Sequence, residues 1–376
     1  MSGRKNGYYI CYRTNTDFIG VDKKIDNQVK VLNSCCNCQK IAIPREKGNI
    51  IKSILWRMPF GSMGRKYEYA LDMISKEGKP DFIYIRFAPL DRRFIKFIKD
   101  LRVSYPLAKI ILEIPAYPYN GELLNNITMF PFYFKDIFYR SQLKKYVDRI
   151  TTFSDDEEIY GIPTIRIMNG IIVDDVPKVC SEKQEDIINL IAVASFQKHH
   201  GYERCITGLK DYYAGDSNRK IKIYLHMVGD GSELKKYKKM TRQYGLEDYV
   251  LFYGHRSGED LNQIYAKADI ALGSFGFYKI KLERSSVLKV REYLSRGLPI
   301  ISACKEDVFQ GDSPKFYMHV ENEDTAVNMQ QVMEFYMSLF SDKTGKAQMA
   351  EYIRSYAKKK VDMSIVMKPI ITYIFE

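Results

Sequence analysis

The chain has 376 residues, room for two ordinary domains, and 45% hydrophobic with 13% aromatic residues exclude a disordered polymer. No apolar run reaches the roughly 20 residues that span a bilayer, and the N-terminus MSGRKNGYYICYR is too polar for a signal peptide, so the protein is expected in the cytoplasm. The net charge of +12 is uneven: residues 1–178 hold 29 Lys+Arg against 20 Asp+Glu, the rest 29 against 26. Most of the excess lies between Arg45 and Arg149, among aromatics. Such a surface suits nucleic acid, an anionic membrane or a phosphate-bearing substrate, and equally ordinary solubilising charge.

Tyr8–Tyr12 reads as a first strand, and Val21–Leu32, with Ile25, Val29 and Leu32 at helical spacing, as an amphipathic helix. Gly20 in the turn between them lets backbone approach a ligand, as at the start of a doubly wound unit. Cys35 and Cys38 form a C-x-x-C without a second ligand pair, so reduced thiols at a helix end are expected rather than zinc. Ile41–Ile43 is a short second strand. Ile50–Phe60, apolar and basic around Trp56, suits either a membrane surface or a buried helix and loop. Asp81–Arg86 and Lys109–Ile114 are strands that end in a charge, Arg86 and Glu113, where an open parallel sheet has its cleft. Each is a ligand group or half of a structural salt bridge. Met129–Val147 mixes aromatics with Lys135, Arg140, Lys144 and Lys145, a face for lipid headgroups or a lipid-pyrophosphate acceptor. No RNA- or DNA-binding motif occurs, so nucleic acid is not expected. Strands at 149–153 and 164–168 lead to a linker at 174–186.

A second alternating pattern starts with the buried strand IINLIAVASF from Ile187, followed by a loop at Lys198–Gly201 and a helix over Tyr202–Tyr213. Lys222–Val228 leads into Gly229-Asp230-Gly231, a G-x-G without the third glycine of a dinucleotide fingerprint. Tyr249–Tyr253 is a strand ending in the loop Gly254-His255-Arg256. Asp269–Gly273 is another, and after it Ser285 and Ser286 are expected to cap a helix from about Val287 to Arg296, stopped by Gly297 and Pro299. The backbone at Ser286, Val287 and Leu288, with Lys289 and Arg284 beside it, then forms an anion site. Glu292, further into the helix, is placed to accept from paired sugar hydroxyls or is a plain surface glutamate. The remainder, Asp324–Glu376, is helical in pattern.

The run S-x-x-L-K-x-x-E-Y-L-x-x-G-L-P at 285–299 resembles the donor-binding segment of retaining glycosyltransferases of the GT-B fold, family four. The EIPAYPYNGE run through Glu122 is similar to a subgroup of bacterial polysaccharide-building transferases. The resemblance implies an α/β fold of two Rossmann-like, doubly wound domains facing a cleft. These would be an acceptor-binding domain at 1–178, a nucleotide-sugar-binding domain at 179–361, and a final helix at about 362–376 returning to the first. It puts Glu292 on the ribose. Eight residues earlier the family's sugar-contacting glutamate is replaced by Arg284, with Glu283 one position before, so either Glu283 serves through a shifted loop or the sugar contact differs. Gly20 would face the donor, Gly229 and Gly231 make the glycine turn, and His255 and Arg256 hold the base. Where the family has an arginine and a Lys-Gly pair for pyrophosphate, this chain has Ser195 and His200-Gly201, with Lys198 a substitute.

The implied reaction moves a sugar from a nucleotide diphosphate sugar to a glycan or lipid-linked acceptor hydroxyl with retention. The setting would be capsule, exopolysaccharide or lipopolysaccharide assembly at the inner face of the cell membrane. Glu113 would orient acceptor or sugar. No D-x-D occurs, and neither a metal nor another cofactor is expected. The rivals are a nucleotide-sugar epimerase of the same fold and an inactive membrane- or nucleic-acid-binding protein.

Overall fold

The computed structural model describes residues 4–12, 19–46, 49–58, 61–62, 64–88, 90–115, 117–119, 130–179, 186–215, 219–340 and 345–376. The chain divides into two compact units, Met1–Met168 with Val366–Glu376, and Asn169–Ile365.

The first unit runs β1 (Asn6–Tyr12), α1 (Ile19–Cys35), β2 (Asn37–Ile43), α2 (Ile50–Arg57), α3 (Tyr67–Glu77), β3 (Phe82–Arg86), α4 (Arg92–Ser104), β4 (Lys109–Ile114), α5 (Phe130–Arg140), β5 (Arg149–Thr152), β6 (Glu158–Ile159) and β7 (Ile162–Arg166). Its sheet has the order β2-β1-β3-β4-β5-β7-β6 and is parallel except for the β6–β7 hairpin. Helices cover the central strands, which is why β3 and β4 read as nearly unbroken apolar runs, FIYIR and KIILEI. α4 starts where the Asp91 carboxylate accepts from the Phe94 N–H at 2.9 Å, and buries Phe94, Phe97, Ile98 and Leu101 against the sheet. The helix α3 is not evident from apolar spacing. It buries only Tyr67, Ala70 and Ile74 and leaves a polar majority outside. β2 begins four residues earlier than expected, at Asn37, and Cys36 and Cys38 on either side of that start are buried.

The second unit continues with β8 (Ile187–Val193), α6 (Glu203–Ala214), β9 (Lys222–Val228), α7 (Leu234–Gln243), β10 (Val250–Gly254), α8 (Gly258–Tyr265), β11 (Ile270–Leu272), β12 (Arg284–Ser285), α9 (Leu288–Arg296), β13 (Ile300–Ser302), β14 (Lys305–Glu306), β15 (Tyr317–His319), α10 (Met329–Leu339) and α11 (Lys346–Lys360). The six-stranded sheet, β10-β9-β8-β11-β13-β15, is wholly parallel. This is the doubly wound order whose direction reverses between β8 and β11.

The division falls after Met168, not at 178. Ile171 donates its N–H to Val361 O and accepts from Met363 N, and Arg354 holds the carbonyls of Val173 and Val176. Those bonds fasten 171–176 to the second unit. The last helix, α12 (Met363–Phe375), gives its residues from Val366 onward to the first unit. There Lys109 donates to Tyr373 O at 2.6 Å, and its ammonium and the Arg149 guanidinium lie 4.6 and 4.8 Å from the Tyr373 ring. The expected linker centre, the turn before Gly20 and four residues of the EIPAYPYNGE run, 116 and 120–122, fall outside the described residues.

Candidate functional site

In the second unit β8 and β11 lie side by side while their chains leave in opposite directions, so a crevice opens beyond their carboxyl ends. α9 starts there with Val287 as its N-cap, a residue with no side-chain acceptor. The expected serine caps are therefore absent. Ser285 Oγ donates to Glu306 Oε2 at 2.9 Å. Ser286 Oγ accepts from Asn169 N and from Arg291 Nη2, both at 3.1 Å. Both hydroxyls are used to tie down the preceding loop, and the first-turn N–H groups of Leu288 and Lys289 are left without a side-chain cap. An uncapped helix start is the arrangement that receives an anion.

Lys289 stands in this first turn. Its ammonium donates to Gly273 O at 2.7 Å, beyond the end of β11, and to Tyr202 OH at 3.0 Å. Both partners are neutral. Burial pushes the Lys289 pKa well below the usual lysine range, against the pull of Glu306. Glu306, 3% exposed, accepts from Ser285 and from Ser302 Oγ at 3.0 Å. Burial pushes its carboxyl up, opposed by Arg291, Ser285 and Lys289. Sequence reasoning missed Glu306, Tyr202 and Ser302. Tyr202 reaches Lys289 from 87 residues away in the chain, and Glu306, held by Ser302, acts on it through its charge, so only folding brings the group together.

The loop after β8 forms one wall. His200 accepts from Gln197 N through Nδ1 at 3.0 Å, which leaves its remaining proton on Nε2. Burial, then the Lys289 charge and His199, drive its pKa far down, so the ring is neutral. His200 thus offers a neutral N–H donor where the resembling family has a lysine. Gly201 has φ +64°, and a Cβ there would lie 2.5 Å from Gly276 N. Only glycine lets the loops after β8 and β11 meet backbone to backbone. Lys198 is exposed one turn earlier. Gly229 and Gly231 press on Ala194 O and Phe196 O, where a Cβ would lie 1.9 and 2.6 Å away. They pack one loop against another. His255 and Arg256 follow β10 and are exposed, with Arg256 Nη1 donating to His255 O at 3.0 Å.

Glu292 lies one turn further along α9. Arg296 donates to its Oε1 from Nε at 3.1 Å and from Nη2 at 2.9 Å, and the carboxylate is 31% exposed. Glu283 is 80% exposed, 3.7 Å from Lys305 Nζ. Arg284 pairs with Lys305 across the β12–β14 ladder and borders a cavity of about 440 Å³ lined also by Phe309, Tyr317 and His319. Of the two candidates for the missing family glutamate, Arg284 is thus the one that faces a cavity.

The first unit treats its predicted residues differently. Glu113 is wholly buried and takes hydrogen bonds from Lys24 Nζ (2.9 Å), Tyr84 OH (2.9 Å), Arg86 Nη1 (3.1 Å), Tyr9 OH (3.3 Å) and Gln28 Nε2 (3.3 Å). Burial pushes its pKa up, but Lys24 and Arg86 outweigh that and hold it at about 2. With both oxygens engaged and no exposed surface, Glu113 cannot touch a substrate in this arrangement. It is a positioning residue for Lys24 and Arg86, a correction to the role expected of it. Gly20 is exposed and lies inside the first turn of α1, not in the loop before it. Among the described residues no group of three His, Cys, Asp or Glu could hold a metal ion, and no helix is long and apolar enough to cross a membrane.

The architecture is shared with solved glycosyltransferases. A glycosyltransferase from Rickettsia africae ESF-5 superposes with a TM-score of 0.64 at 13% identity, covering 99% of this chain and 98% of that one. Anabaena Alr3699/HepE, in complex with UDP and glucose, gives 0.60 at 11% identity over 98% and 99%. The lipopolysaccharide outer core galactosyltransferase WaaB gives 0.58 at 15% identity over 98% and 99%. At these identities the likeness shows the fold, the GT-B fold of two Rossmann-like units. Residues 178–303, which contain β8 to β13 and both hydrogen-bond partners of Lys289, Tyr202 and Gly273, match the family model described as Glycosyl transferases group 1. The class is a GT-B glycosyltransferase. No curated protein matches the sequence.

Proposed function

We propose that the chain transfers a sugar from a nucleotide diphosphate sugar to an acceptor hydroxyl with retention of configuration, as a step in assembling a bacterial polysaccharide or glycolipid. The observation that carries this reading is the uncapped start of α9 with the half-buried Lys289 beside it, at the strand-order switch of the matched domain. The donor diphosphate sits on the first-turn N–H groups and the Lys289 ammonium, with His200 Nε2–H as a further donor. Glu292 accepts from the ribose hydroxyls. As the bond from the anomeric carbon to the phosphate oxygen breaks, these cationic and N–H groups stabilise the charge that develops on the diphosphate. The acceptor oxygen bonds to the anomeric carbon on the same face, and its proton passes to the departing phosphate oxygen. No metal is required in this scheme, since the protein supplies the positive charge. The complexes of Anabaena HepE with UDP and with UDP-glucose support a uridine diphosphate donor.

The test is calorimetric titration with UDP-, GDP-, ADP- and CDP-sugars, with and without EDTA. One nucleotide class should bind, EDTA should change nothing, and Glu292→Ala should weaken it. Indifference to every donor would sink the reading, and loss of binding in EDTA would sink its metal-free form.

A further inference from the structure

Two helices of the first unit are amphipathic in the wrong sense for a core. In α2 and its C-cap, Ile51, Ile54, Leu55 and Met58 recur at i, i+3, i+4 and i+7, and each is 55–66% exposed. In α5, Phe130, Phe134 and Phe138 follow at intervals of four, 46%, 58% and 68% exposed, with Ile137 beside them at 37%. Single exposed apolar side chains are ordinary. Two complete apolar stripes turned to solvent on neighbouring helices mark an interaction surface.

The helices are joined by a buried cation. Lys135, 3% exposed, reaches from α5 to Trp56 O, in the last turn of α2, and to Gly61 O (2.9 Å), in the loop that follows. A helix C-terminus favours positive charge, so the clamp satisfies both groups. It holds the two stripes on one part of the unit.

The surrounding charge is one-sided. Residues 45–66 contain six Lys or Arg and one acid, Glu46, which Arg93 neutralises at 2.7 Å. Residues 130–147 contain four Lys or Arg and one acid, Asp136, which is buried and accepts from Tyr119 OH at 2.7 Å. Neither acid offsets the basic side chains at the surface. Arg45, Lys52, Lys66, Lys144 and Lys145 are exposed.

We propose that α2 and α5 form a docking face for an anionic lipid surface, with the Ile, Leu, Met and Phe stripes entering the acyl boundary and the flanking cations resting on the headgroups. Charge complementarity selects this occupant. Apolar insertion alone would suit any hydrophobic partner, whereas apolar stripes set in a strongly basic surround suit a negatively charged interface. The inference does not depend on sugar transfer, and its test needs no donor.

The test is flotation of the full chain with vesicles of phosphatidylcholine alone and with about one-third phosphatidylglycerol. Emission of Trp56, the single tryptophan, gives a second readout. The wild type should float with the anionic vesicles only, less so in high salt, and Trp56 emission should shift to the blue. F134S/F138S and I54S/L55S should each lose about tenfold in partitioning. Their melting temperatures should match wild type, because these side chains are already exposed. A wild type that stays unbound, or serine variants that bind as well as it does, would overturn the proposal. So would light scattering that shows the wild type self-associating through these stripes and the variants monomeric.

Discussion

Each unit buries a glutamate among cations at the carboxyl edge of its sheet, and the two outcomes are opposite. In the first unit the acid and the bases touch: Glu113 meets Lys24 at 2.9 Å and Arg86 at 3.1 Å, with three further donors on its oxygens. The cluster is closed, its carboxyl is held at about 2, and no acceptor capacity remains for a ligand. In the second unit Lys289 and Glu306 feel one another's charge, yet Lys289 is bonded to a carbonyl and a phenol, and Glu306 to two serine hydroxyls. A half-buried ammonium with neutral partners is incompletely compensated, and it gains most when an anion arrives. Contact between opposite charges makes a structural cluster, whereas separation of the same groups makes a receptive site.

Removing one partner from each cluster should have opposite effects. Glu113→Ala leaves Lys24 and Arg86 facing each other without a carboxylate, and should destabilise the protein by about 3–5 kcal/mol in urea unfolding. Donor binding, measured on the fraction still folded, should hold. Lys289→Met should do the reverse. Stability should stay within about 1 kcal/mol of wild type, since a partly desolvated amine gives way to an apolar chain of similar length. Sugar transfer should fall roughly 100-fold, as when one donor to a developing oxyanion is lost. If Lys289→Met unfolds the protein while Glu113→Ala leaves it stable, the contrast is wrong. Glu292→Ala should cost about 1.5–3 kcal/mol of donor affinity, the range for hydrogen bonds to a charged group, read by calorimetry with UDP-glucose.

Protonation gives the smallest effects. Glu113 is depressed in the folded state, so its contribution to stability is complete above the ordinary glutamate pKa of about 4.3 and is lost as pH falls toward about 2. Acid unfolding of Glu113→Gln should lack that segment. Lys289 is depressed as well, but it is a base. The unfolded chain holds its proton more tightly, so this residue's penalty on stability lies below its ordinary pKa of about 10.4 and eases as pH rises through the interval under it. A diphosphate reverses the preference, and donor binding should take up a fraction of a proton, up to about one. Heats of binding in buffers of different ionisation enthalpy measure this. Lys289→Met should abolish the uptake, and Glu306→Gln should retain most of it.

Local chemistry alone determined much of this molecule. Apolar runs such as KIILEI and IINLIAV need two covered faces, so they read as central parallel strands, and Gly297 with Pro299 stops α9 where the left-handed φ of +81° is required. Lys289 and Glu292 were legible because both lie within two turns of one helix start, and Glu283 with Arg284 just ahead of it. What those residues do depends on the partners that folding brings to them. Ser285 and Ser286 look like caps, but Glu306 and Asn169, brought from 21 and 117 residues away, claim them. Glu113 looks like a cleft residue, but α1 returns Lys24 and Gln28 over it. Whether a polar side chain serves the fold or a ligand depends on which distant partners reach it first, and sequence spacing carries no information about that.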